Sequence, residues 1–516
     1  MKPVSIFNDV LGPVMHGPSS SHTAAPVHIG AIATALLGDN PAEAKFTFDP
    51  GGSFAQVYAQ QGSHLAFAAG VMGWSMTEEP FSQALDLAAA QGLQISFAVE
   101  PLAGADHPNS VEIQMTSRSG RSLEAMAKSI GGGAVVFTEL DGWPVHLTGD
   151  AFEVLVEAHI SAAPAVERVL LSYEQLQTPL AHRSVDERVL FHARCSSRLD
   201  RAGQAALDRI PGVRRVWTAP PVFFILRGKP LFTSGTEMIA FAEKRGSSLG
   251  QAALAYESEL LGMDEQSVLA EMLRRLEVMR AAAERGLGKG VPPMQTLEPS
   301  ARGIFQAEAT GKLAIGGIHT RAAARAMAIM HINGGMGVVC AAPTAGAAGA
   351  LPAVVVTLAE EQNLSPTDAA MALFAASGVG LVLATRATFA AEIAGCQVEI
   401  GAAGAMAAAA VVEAVGGSAR QAADAAAIGF QNTMGSICDP VQGIVEIPCH
   451  TRNAVAASSA FVCADLVLGG YTNPIPLDET IDAVYAVGRM LPRELKCTAL
   501  GGLSITPSAL AMSPQR

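Results

Sequence analysis

Three cysteines in the last quarter of the chain have a spacing that could bind metal. Cys396, Cys438 and Cys449 are separated by 42 and 11 residues, and each has a glycine or a proline within two positions. Such turn formers place a thiolate at a helix end or in a loop, where a helix dipole favours the charged form. Three thiolates on separated segments can hold an iron–sulfur cluster and leave one iron open as a Lewis acid.

A competing interpretation of the cysteines is structural, because free cysteine in an apolar chain usually behaves as a small buried hydrophobe. We apply that interpretation to the four remaining cysteines, Cys195, Cys340, Cys463 and Cys497. The chain contains no Cys-x-x-Cys pair, so a zinc ribbon is not indicated. For the first three cysteines the spacing alone leaves both interpretations open.

The composition excludes several classes of protein. The chain has 516 residues, which allows two to four domains, and half of them are hydrophobic although only 5% are aromatic. With 34 basic and 47 acidic residues the net charge is −13, and no basic stripe marks a nucleic-acid surface. Seven scattered cysteines do not form a secreted disulfide framework, so we expect a cytoplasmic protein with reduced thiols.

Neither a secretory signal nor a membrane span is predicted. The first nine residues lack the apolar stretch of a signal peptide. Residues 334–359 carry no charge, but they include Pro343, Pro352 and several glycines and lack basic flanks. We interpret them as a buried loop and helix in a soluble core, with no membrane partner.

Changes in residue pattern and composition along the chain predict an α+β multidomain protein. Residues 1–148 alternate short strands, such as 44–49 and 110–115, with helical patterns, and predict a mixed α/β domain. Residues 231–516 become rich in alanine and glycine, as close-packed helices are, and predict an all-α catalytic domain that carries the cysteines. Its clearest helical pattern covers residues 257–285.

The middle part, residues 149–230, predicts a small ferredoxin-like module of ACT type. Strand patterns at 152–158 and 189–194 are followed by a polar helix at 200–210 and a strand at 222–226. The module could bind an amino-acid effector or be purely structural. Its first helix is poorly marked in the sequence, which favours the structural role.

Several motifs, in the same order, resemble the iron–sulfur-dependent L-serine dehydratases, and the resemblance covers most of the chain. The layout is similar to a fusion of that family's two-subunit form, with the β-type part first. The motifs are residues 17–23 (Gly-Pro-Ser-Ser-Ser-His-Thr), 138–149, the Ala-Pro-Thr-Ala-Gly loop within 337–349, and the cysteine segments 395–397, 438–440 and 448–454. The 42- and 11-residue spacings match as well.

The resemblance implies a [4Fe-4S] cluster held by Cys396, Cys438 and Cys449, with one iron that lacks a protein thiolate. That iron would bind a substrate hydroxyl and make hydroxide a better leaving group, while a base removes the Cα proton. The expected products are a 2-oxo acid and ammonia, and no pyridoxal phosphate would be needed. The expected partner is a small amino acid, and an Ala-rich helical core is compatible with a homodimer.

The serine loop is the predicted substrate site. Short hydroxyl groups and backbone amides offer donors for a carboxylate, although serine and threonine before an apolar run also serve as helix N-caps. With the resemblance, substrate binding takes precedence. The residues assigned to it are Ser19, Ser20, Ser21, His22, Thr23, Thr344, Gly346 and Asn453.

The chain departs from the family pattern on the substrate side. The family's Gly-His-Gly-Thr-Asp segment, whose His is the favoured base, aligns with a segment that places Gln61 at the His and His64 at the Asp. Glutamine cannot act as a base, so His64 and His22 are the candidates for that role. Residues 297–300 replace a Thr-Gly-Gly-Asp loop, and Leu500 stands where an Arg is usual.

Some family members end in a cysteine that occupies the open iron, whereas the tail 511–516 has none and Cys497 is not at that place. We therefore expect no ligation by a tail thiolate.

Because the cluster segments are kept and substrate loops are altered, the substrate could be L-serine, L-threonine or a related β-hydroxy amino acid. Two alternatives stay open: a lyase of the same fold that acts on another leaving group such as a thiol, and a cluster-binding sensor without catalysis.

Overall fold

A six-stranded sheet organises the first 148 residues. In the computed structural model, which describes residues 3–173 and 175–512, the sheet has the order β3-β2-β4-β5-β6-β7, with β2 and β3 parallel and the other neighbours antiparallel. The strands are β1 (Val14–His16), which lies outside this sheet, β2 (Pro41–Phe48), β3 (Gln94–Val99), β4 (Ser110–Ser117), β5 (Ser122–Gly131), β6 (Ala134–Leu140) and β7 (Trp143–Leu147). The helices are α1 (Ala25–Leu37), α2 (Ser53–Val57), α3 (Ser63–Val71) and α4 (Ala84–Ala90), with short helical turns at Ile6–Val10, Ser20–Ala24 and Phe81–Gln83.

Helices α1 and α3 pack on this sheet, and their backbones are in direct contact with each other. A Cβ atom on Gly70 of α3 would lie 2.3 Å from the carbonyl oxygen of Val27 in α1, so glycine is required at this crossing. The turn Ser20–Ala24 leads into α1, and Gln61 lies just before α3. The close helix pair therefore brings the serine loop and Gln61 together, and the Thr23 hydroxyl donates to the Gln61 carbonyl oxygen at 3.2 Å.

Residues 152–219 form a separate four-stranded antiparallel sheet. The elements are β8 (Phe152–His159), α5 (Ala163–Leu171), β9 (Ala181–Val185), β10 (Arg188–Cys195), α6 (Arg201–Asp208) and β11 (Val213–Ala219), with a helical turn at Ile160–Ala162. The strand order is β11-β8-β10-β9. This β-α-β-β-α-β sequence is that of a ferredoxin-like unit. Whether it binds an effector stays a prediction.

The rest of the chain is largely helical, which confirms the coarse fold class of a mixed α/β protein with a C-terminal helical region. One short strand, β12 (Val338–Cys340), is included among these elements. The helices are α7 (Gly235–Arg245), α8 (Leu249–Leu261), α9 (Glu265–Leu287), α10 (Ala301–Ala309), α11 (Ile318–Gly334), α12 (Ala350–Glu361), α13 (Pro366–Arg386), α14 (Ala391–Ala394), α15 (Ile400–Ala414), α16 (Ala419–Thr433), α17 (Cys449–Leu468), α18 (Leu477–Met490) and α19 (Pro507–Ala511). Short helical turns lie at Ala345–Ala347, Cys396–Val398, Val441–Gly443, Arg493–Leu495 and Gly502–Ile505.

Two helical segments at the centre of this region are long and apolar enough to cross a membrane. They are Pro366–Arg386 and Cys396–Ala414, and 78% and 89% of their most apolar windows are buried inside the protein. Small side chains explain the burial: a Cβ on Gly429 of α16 would come within 2.9 Å of the Ala405 Cα in α15. The two segments are therefore accounted for as core helices.

The N-terminal segment is anchored in the helical region. Strand β1 pairs with β12, and Gly17 N donates to the Gly337 carbonyl oxygen at 3.0 Å. The Asn333 side chain donates to the Pro18 carbonyl oxygen at 2.9 Å, and a Cβ on Gly17 would lie 2.2 Å from the Asn333 carbonyl oxygen. This contact places the serine loop next to the segments that carry the cysteines.

Two sequence-based predictions of secondary structure are wrong. The predicted strand at 222–226 is irregular, because the amides of Val222 and Phe223 donate to the Gly149 carbonyl oxygen and that of Phe224 donates to the Asn8 side chain. The predicted helix at 257–285 is split into α8 and α9. Gly262 ends α8 at a φ of 62°, and the Asp264 side chain caps α9.

Glu257 fastens the first residues of the chain to α8 and gives a test of the fold. This fully buried carboxyl accepts hydrogen bonds from the Ser5 hydroxyl and from the amides of Ile6 and Phe7, at 2.5, 2.8 and 3.1 Å. Burial raises the pKa of Glu257 from 4.5 to about 7. Its contribution to stability is therefore fully present below pH 4.5 and is lost as the pH rises to about 7.

The variant Glu257→Gln should flatten this pH dependence of the free energy of unfolding, which we expect to be on the order of 3 kcal/mol. Urea denaturation at several pH values between 4.5 and 7.5 measures it. The exposed Glu259→Gln on the same helix is the matched control. An unchanged slope in Glu257→Gln would contradict this account of the carboxyl.

Candidate metal centre and active site

Four cysteines, rather than the three predicted, meet in one buried cluster. Cys396, Cys438, Cys449 and Cys497 are between 1% and 8% exposed and pack together with small apolar residues. The Cys438 thiol is within hydrogen-bonding reach of the thiols of both Cys396 and Cys497. The interpretation of Cys497 as a simple core residue therefore missed its contact with the other sulfurs.

The electrostatics of this cluster fit a cation. The neighbouring thiols of Cys396 and Cys497, together with burial, raise the pKa of Cys438 well above its ordinary value. Burial and the charge of a Cys396 thiolate do the same to the pKa of Cys449. Thiolates this close together in apolar surroundings repel one another, and bound metal is the usual source of compensating charge.

Each cysteine occupies a defined position of the backbone. Cys396 opens the turn Cys396–Val398 directly before α15, and Cys449 is the first residue of α17, so both stand at helix N-termini. Cys438 is paired with the C-terminal segment: its amide donates to the Leu495 carbonyl oxygen, and its carbonyl oxygen accepts from the Cys497 amide, both at 2.9 Å.

A buried carboxyl completes the cluster on one side. An oxygen of Glu399 and the sulfur atoms of Cys396 and Cys438 all lie within 4.8 Å of one another. The Thr344 hydroxyl donates to Glu399 at 2.6 Å, and a Cβ on Gly346 would come within 2.8 Å of the same carboxyl. Burial raises the pKa of Glu399 to about 7. Glycine at 346 is therefore needed to accommodate the carboxyl.

Asn453 ties the helix that starts at Cys449 to the Ala-Pro-Thr-Ala-Gly loop. Its side-chain NH₂ donates to the carbonyl oxygens of Gly346 and Cys449, both at 2.9 Å, and its side-chain oxygen accepts from the amides of Gly349 and Ala350 at 3.1 and 3.0 Å. All its hydrogen-bonding groups are used within the protein. Asn453 therefore holds the start of α17, with Cys449, against the loop that contains Gly346.

His22, from the serine loop, is completely buried and faces three polar partners. Its Nδ1 lies 3.6 Å from a Glu392 carboxylate oxygen and 3.3 Å from the Ser19 hydroxyl, and its Nε2 lies 3.2 Å from the Ser53 hydroxyl. Ser53 in turn donates to the Cys497 carbonyl oxygen at 3.1 Å. Burial lowers the pKa of His22, while the negative Glu392 opposes this shift. A neutral imidazole oriented by a carboxylate has the form of a general base.

Gln61 and His64, the two residues of the segment that departs from the family pattern, lie in different surroundings. The Gln61 side chain is buried next to the thiols: its NH₂ donates to the Gly443 carbonyl oxygen at 3.1 Å and lies 4.0 Å from the Cys497 sulfur. Among the described residues its side-chain oxygen has no donor. His64 instead lies edge-on to Tyr58 and Phe97, with ring centroids 6.4 Å apart in both cases.

The altered loop near 297 is held to the cysteine segment by Glu446. This buried carboxylate accepts from the amides of Gln295, Thr296 and Leu297 at 2.7, 2.7 and 2.9 Å and from the Thr296 hydroxyl at 2.6 Å. Because Glu446 lies three residues before Cys449, these hydrogen bonds connect the loop to the segment that carries this thiol.

A cavity of about 370 Å³ adjoins this site. Its inner wall contains Ser53, Glu392 and Thr498, which adjoin His22 and Cys497. Its outer residues include three cations, and the described part of the chain provides no ion pair for any of them: Arg489, Arg493 and Lys496. In a protein with a net charge of −13, this mouth attracts anions.

Comparison with known proteins identifies the helical region. The sequence model described as "Serine dehydratase alpha chain" matches residues 243–504. The chain belongs to this family. The probable L-serine dehydratase alpha chain of Bacillus subtilis is 38% identical over 279 residues, which are 54% of this chain and 93% of that protein. L-serine dehydratase 1 of Escherichia coli is 31% identical over 281 residues, or 53% of this chain and 62% of that protein.

Similarity also extends to the other subunit type. The probable L-serine dehydratase beta chain of Bacillus subtilis is 39% identical over 156 residues, which are 30% of this chain and 69% of that protein. Matches to an alpha chain and a beta chain in one polypeptide agree with the fused layout. The predicted membership of the L-serine dehydratase family, and with it the enzyme class of ammonia-lyases, is confirmed.

The sequence did not single out Glu392, Glu399 or Ser53, although all three lie in the site. Glu399 stands three residues after Cys396, a position that could have drawn attention to a further ligand-type residue. Glu392 and Ser53 carry no local signal, because they reach His22 only through the packing of distant segments. The assigned roles of the serine-loop residues and of His64 stay predictions.

Glu446 provides a direct test of how the site is assembled. In Glu446→Gln the neutral amide offers one acceptor in place of a carboxylate that serves four donors, and hydrogen bonds to charged groups contribute about 1.5–3 kcal/mol each. We therefore expect the amides of residues 295–297 to exchange hydrogen at least ~10-fold faster. Hydrogen–deuterium exchange with mass spectrometry measures this change. The exposed Glu479→Gln is the control. Unaltered protection of residues 295–297 in Glu446→Gln would contradict the claim that Glu446 holds this loop.

Proposed function

We propose that the protein is an iron–sulfur-dependent lyase that converts L-serine, or a related small β-hydroxy amino acid, into a 2-oxo acid and ammonia. The observation that carries the proposal is the proximity of the buried cysteine cluster to His22, a histidine oriented by Glu392 and joined to Cys497 through Ser53. The names of the alpha- and beta-chain relatives support the same activity.

The donor set fits an iron–sulfur cluster. Sulfur ligands from Cys396, Cys438 and Cys449 would hold it, in a pocket lined by small apolar residues that limit access of water. When bound, the cluster would supply a Lewis-acidic iron that weakens the bond between the β-carbon and its hydroxyl group. Arg452, whose guanidinium lies near Cys396 and Cys449, would offset part of the thiolate charge.

The protein groups around the cavity supply the remaining functions. The cationic mouth draws in the substrate carboxylate, and the Ser20 hydroxyl, which has no partner among residues 3–173 and 175–512, can donate to it. His22 accepts the Cα proton, and Glu392 stabilises the imidazolium that forms. Loss of hydroxide then leaves an enamine, which tautomerises to an imine and is hydrolysed to the 2-oxo acid and ammonia.

Gln61 is the feature that keeps other substrates under consideration. Its side-chain nitrogen lies 4.0 Å from the Cys497 sulfur, and its side-chain oxygen, which has no donor among the described residues, can accept a hydrogen bond from the substrate but cannot take a proton at neutral pH. A changed preference among β-hydroxy amino acids, a thiol leaving group and a non-catalytic sensor are the alternatives.

A substrate panel separates these functions. The protein is reconstituted with iron and sulfide under anaerobic conditions and offered L-serine, L-threonine, L-cysteine and D-serine, while ammonia and 2-oxo acid are measured. We expect turnover of an L-β-hydroxy amino acid. Preference for L-cysteine would indicate the lyase with a thiol leaving group, and no turnover with an intact cluster would indicate the sensor.

The base is tested by comparing the two candidate histidines. His22→Asn should lower kcat by at least ~10²-fold, the usual contribution of a general base, whereas His64→Asn should change it little. Because burial lowers the pKa of His22, the acid limb of the kcat/KM profile should lie below pH 6.5. His182→Asn, on exposed strand β9, is the control. A large loss in His64→Asn alone would transfer the role to His64.

Assembly and location are part of the proposal. A homodimer is supported by an apolar stripe on α17, where Val455, Val462 and Leu466 are 68%, 50% and 47% exposed. A cytoplasmic location would keep the thiols reduced.

A further inference from the structure

We infer that Cys497 is the fourth cysteine ligand of the same metal centre, so that the resting centre is closed by four protein thiolates. This inference rests on the proposed function, because it assumes that the cysteine cluster binds iron and sulfide. It concerns a residue outside the cysteine segments that the sequence analysis assigned to the cluster.

The first argument is the position of the thiol. Cys497 is 8% exposed and packs in the same group of buried residues as Cys396, Cys438 and Cys449. Its thiol is within hydrogen-bonding reach of the Cys438 thiol and lies 4.0 Å from the Gln61 amide nitrogen. It therefore lies between the predicted ligands and the side from which the substrate would arrive.

The second argument is that the backbone specifies this position. Residues 495–497 run beside Cys438, with hydrogen bonds from Cys438 N to the Leu495 carbonyl oxygen and from Cys497 N to the Cys438 carbonyl oxygen. The Ser53 hydroxyl fixes the Cys497 carbonyl oxygen from the N-terminal domain. These bonds hold the two thiols side by side independently of any metal.

The third argument is local strain. Cys497 has a φ of 60° and Ala499 a φ of 55°, and both are in the left-handed region that residues with a Cβ rarely adopt. Such conformations are energetically unfavourable and persist where surrounding contacts determine them. Two such residues within three positions lie where the chain brings Cys497 into the buried cluster.

The remaining cysteines show that such a contact is not a general result of burial. Cys195, Cys340 and Cys463 are also buried, but they belong to other parts of the core and contact none of the four clustered thiols among the described residues. Four cysteine thiolates are the usual ligand set of a [4Fe-4S] cluster. With Cys497 counted, the chain supplies that set from four separate segments.

The consequence for the site is a closed resting state. Lys496 and Thr498, the neighbours of Cys497, line the cavity, so Cys497 is the ligand on the substrate side. A centre with four thiolates has no coordination position for the substrate until the segment 495–499 moves. The same closure protects the iron from loss during oxidation.

Mössbauer spectroscopy of ⁵⁷Fe-reconstituted protein tests the inference without relying on activity. The variants are Cys497→Ala, Cys497→Ser, which keeps the side-chain size, and the control Cys463→Ala from the helical core. In wild type and Cys463→Ala we expect all four irons to show thiolate-type parameters. In both Cys497 variants one iron of the four should become distinct, and mild oxidation should convert the cluster to a three-iron form detected by electron paramagnetic resonance.

The outcomes separate this inference from the proposed function. A distinct iron already present in wild type and unchanged in Cys497→Ala would overturn the inference while leaving the lyase intact. Absence of any cluster from wild type would overturn the proposed function and the inference together. Loss of the whole cluster from Cys497→Ser that retains its circular dichroism and thermal unfolding, with Cys463→Ala unaffected, would also support ligation.

Discussion

The mutual repulsion of closely packed thiolates is the constraint on which the site depends. Cys438 touches the thiols of Cys396 and Cys497 in a pocket that offers little water, and this arrangement strongly disfavours charge on Cys438. A bound cation reverses the preference, because thiolates then become ligands. The pocket therefore favours neutral thiols unless a cation is bound, and the proposed chemistry requires the bound cation.

Much of the surrounding structure serves to hold the cysteine segments in place. Asn453 connects the start of α17 to the Gly346 loop, and Glu446 connects the residues before Cys449 to the loop at 295–297. Cys438 is paired through its backbone with residues 495–497. Each connection joins segments that are far apart in sequence. The α-type region thus forms a rigid frame, and the N-terminal domain adds His22, Ser53 and Gln61 from the open side.

The sequence predicted those features that local chemistry or motif spacing determines. The cysteine segments and the serine loop were recognised by their order, and the two-sheet N-terminal half by its alternating patterns. The errors arose where local pattern and long-range contacts disagree. Residues 222–226 have strong strand propensity, yet their amides are taken by Gly149 and Asn8 instead of a neighbouring strand. Gly262 interrupts an otherwise continuous helical periodicity.

The residues of the site likewise divide into those that local motifs reveal and those that only long-range contacts bring together. Cys497 has no motif around it, and only its backbone pairing with Cys438 brings it to the centre. Glu392 reaches His22 from α14 and cannot be assigned from spacing. Gln61, which the family pattern aligns with a histidine, lies next to Cys497, and its role in the site stays a prediction.

The central claim, that thiols from remote segments form an iron–sulfur centre, is tested most directly by chemical analysis. Iron, zinc and acid-labile sulfide are quantified per chain after anaerobic purification of wild type and of Cys438→Ala. The account predicts iron and sulfide in equal amounts, about four of each per chain in wild type, and their loss from the folded variant. Zinc without sulfide, or iron and sulfide retained in full by Cys438→Ala, would contradict it.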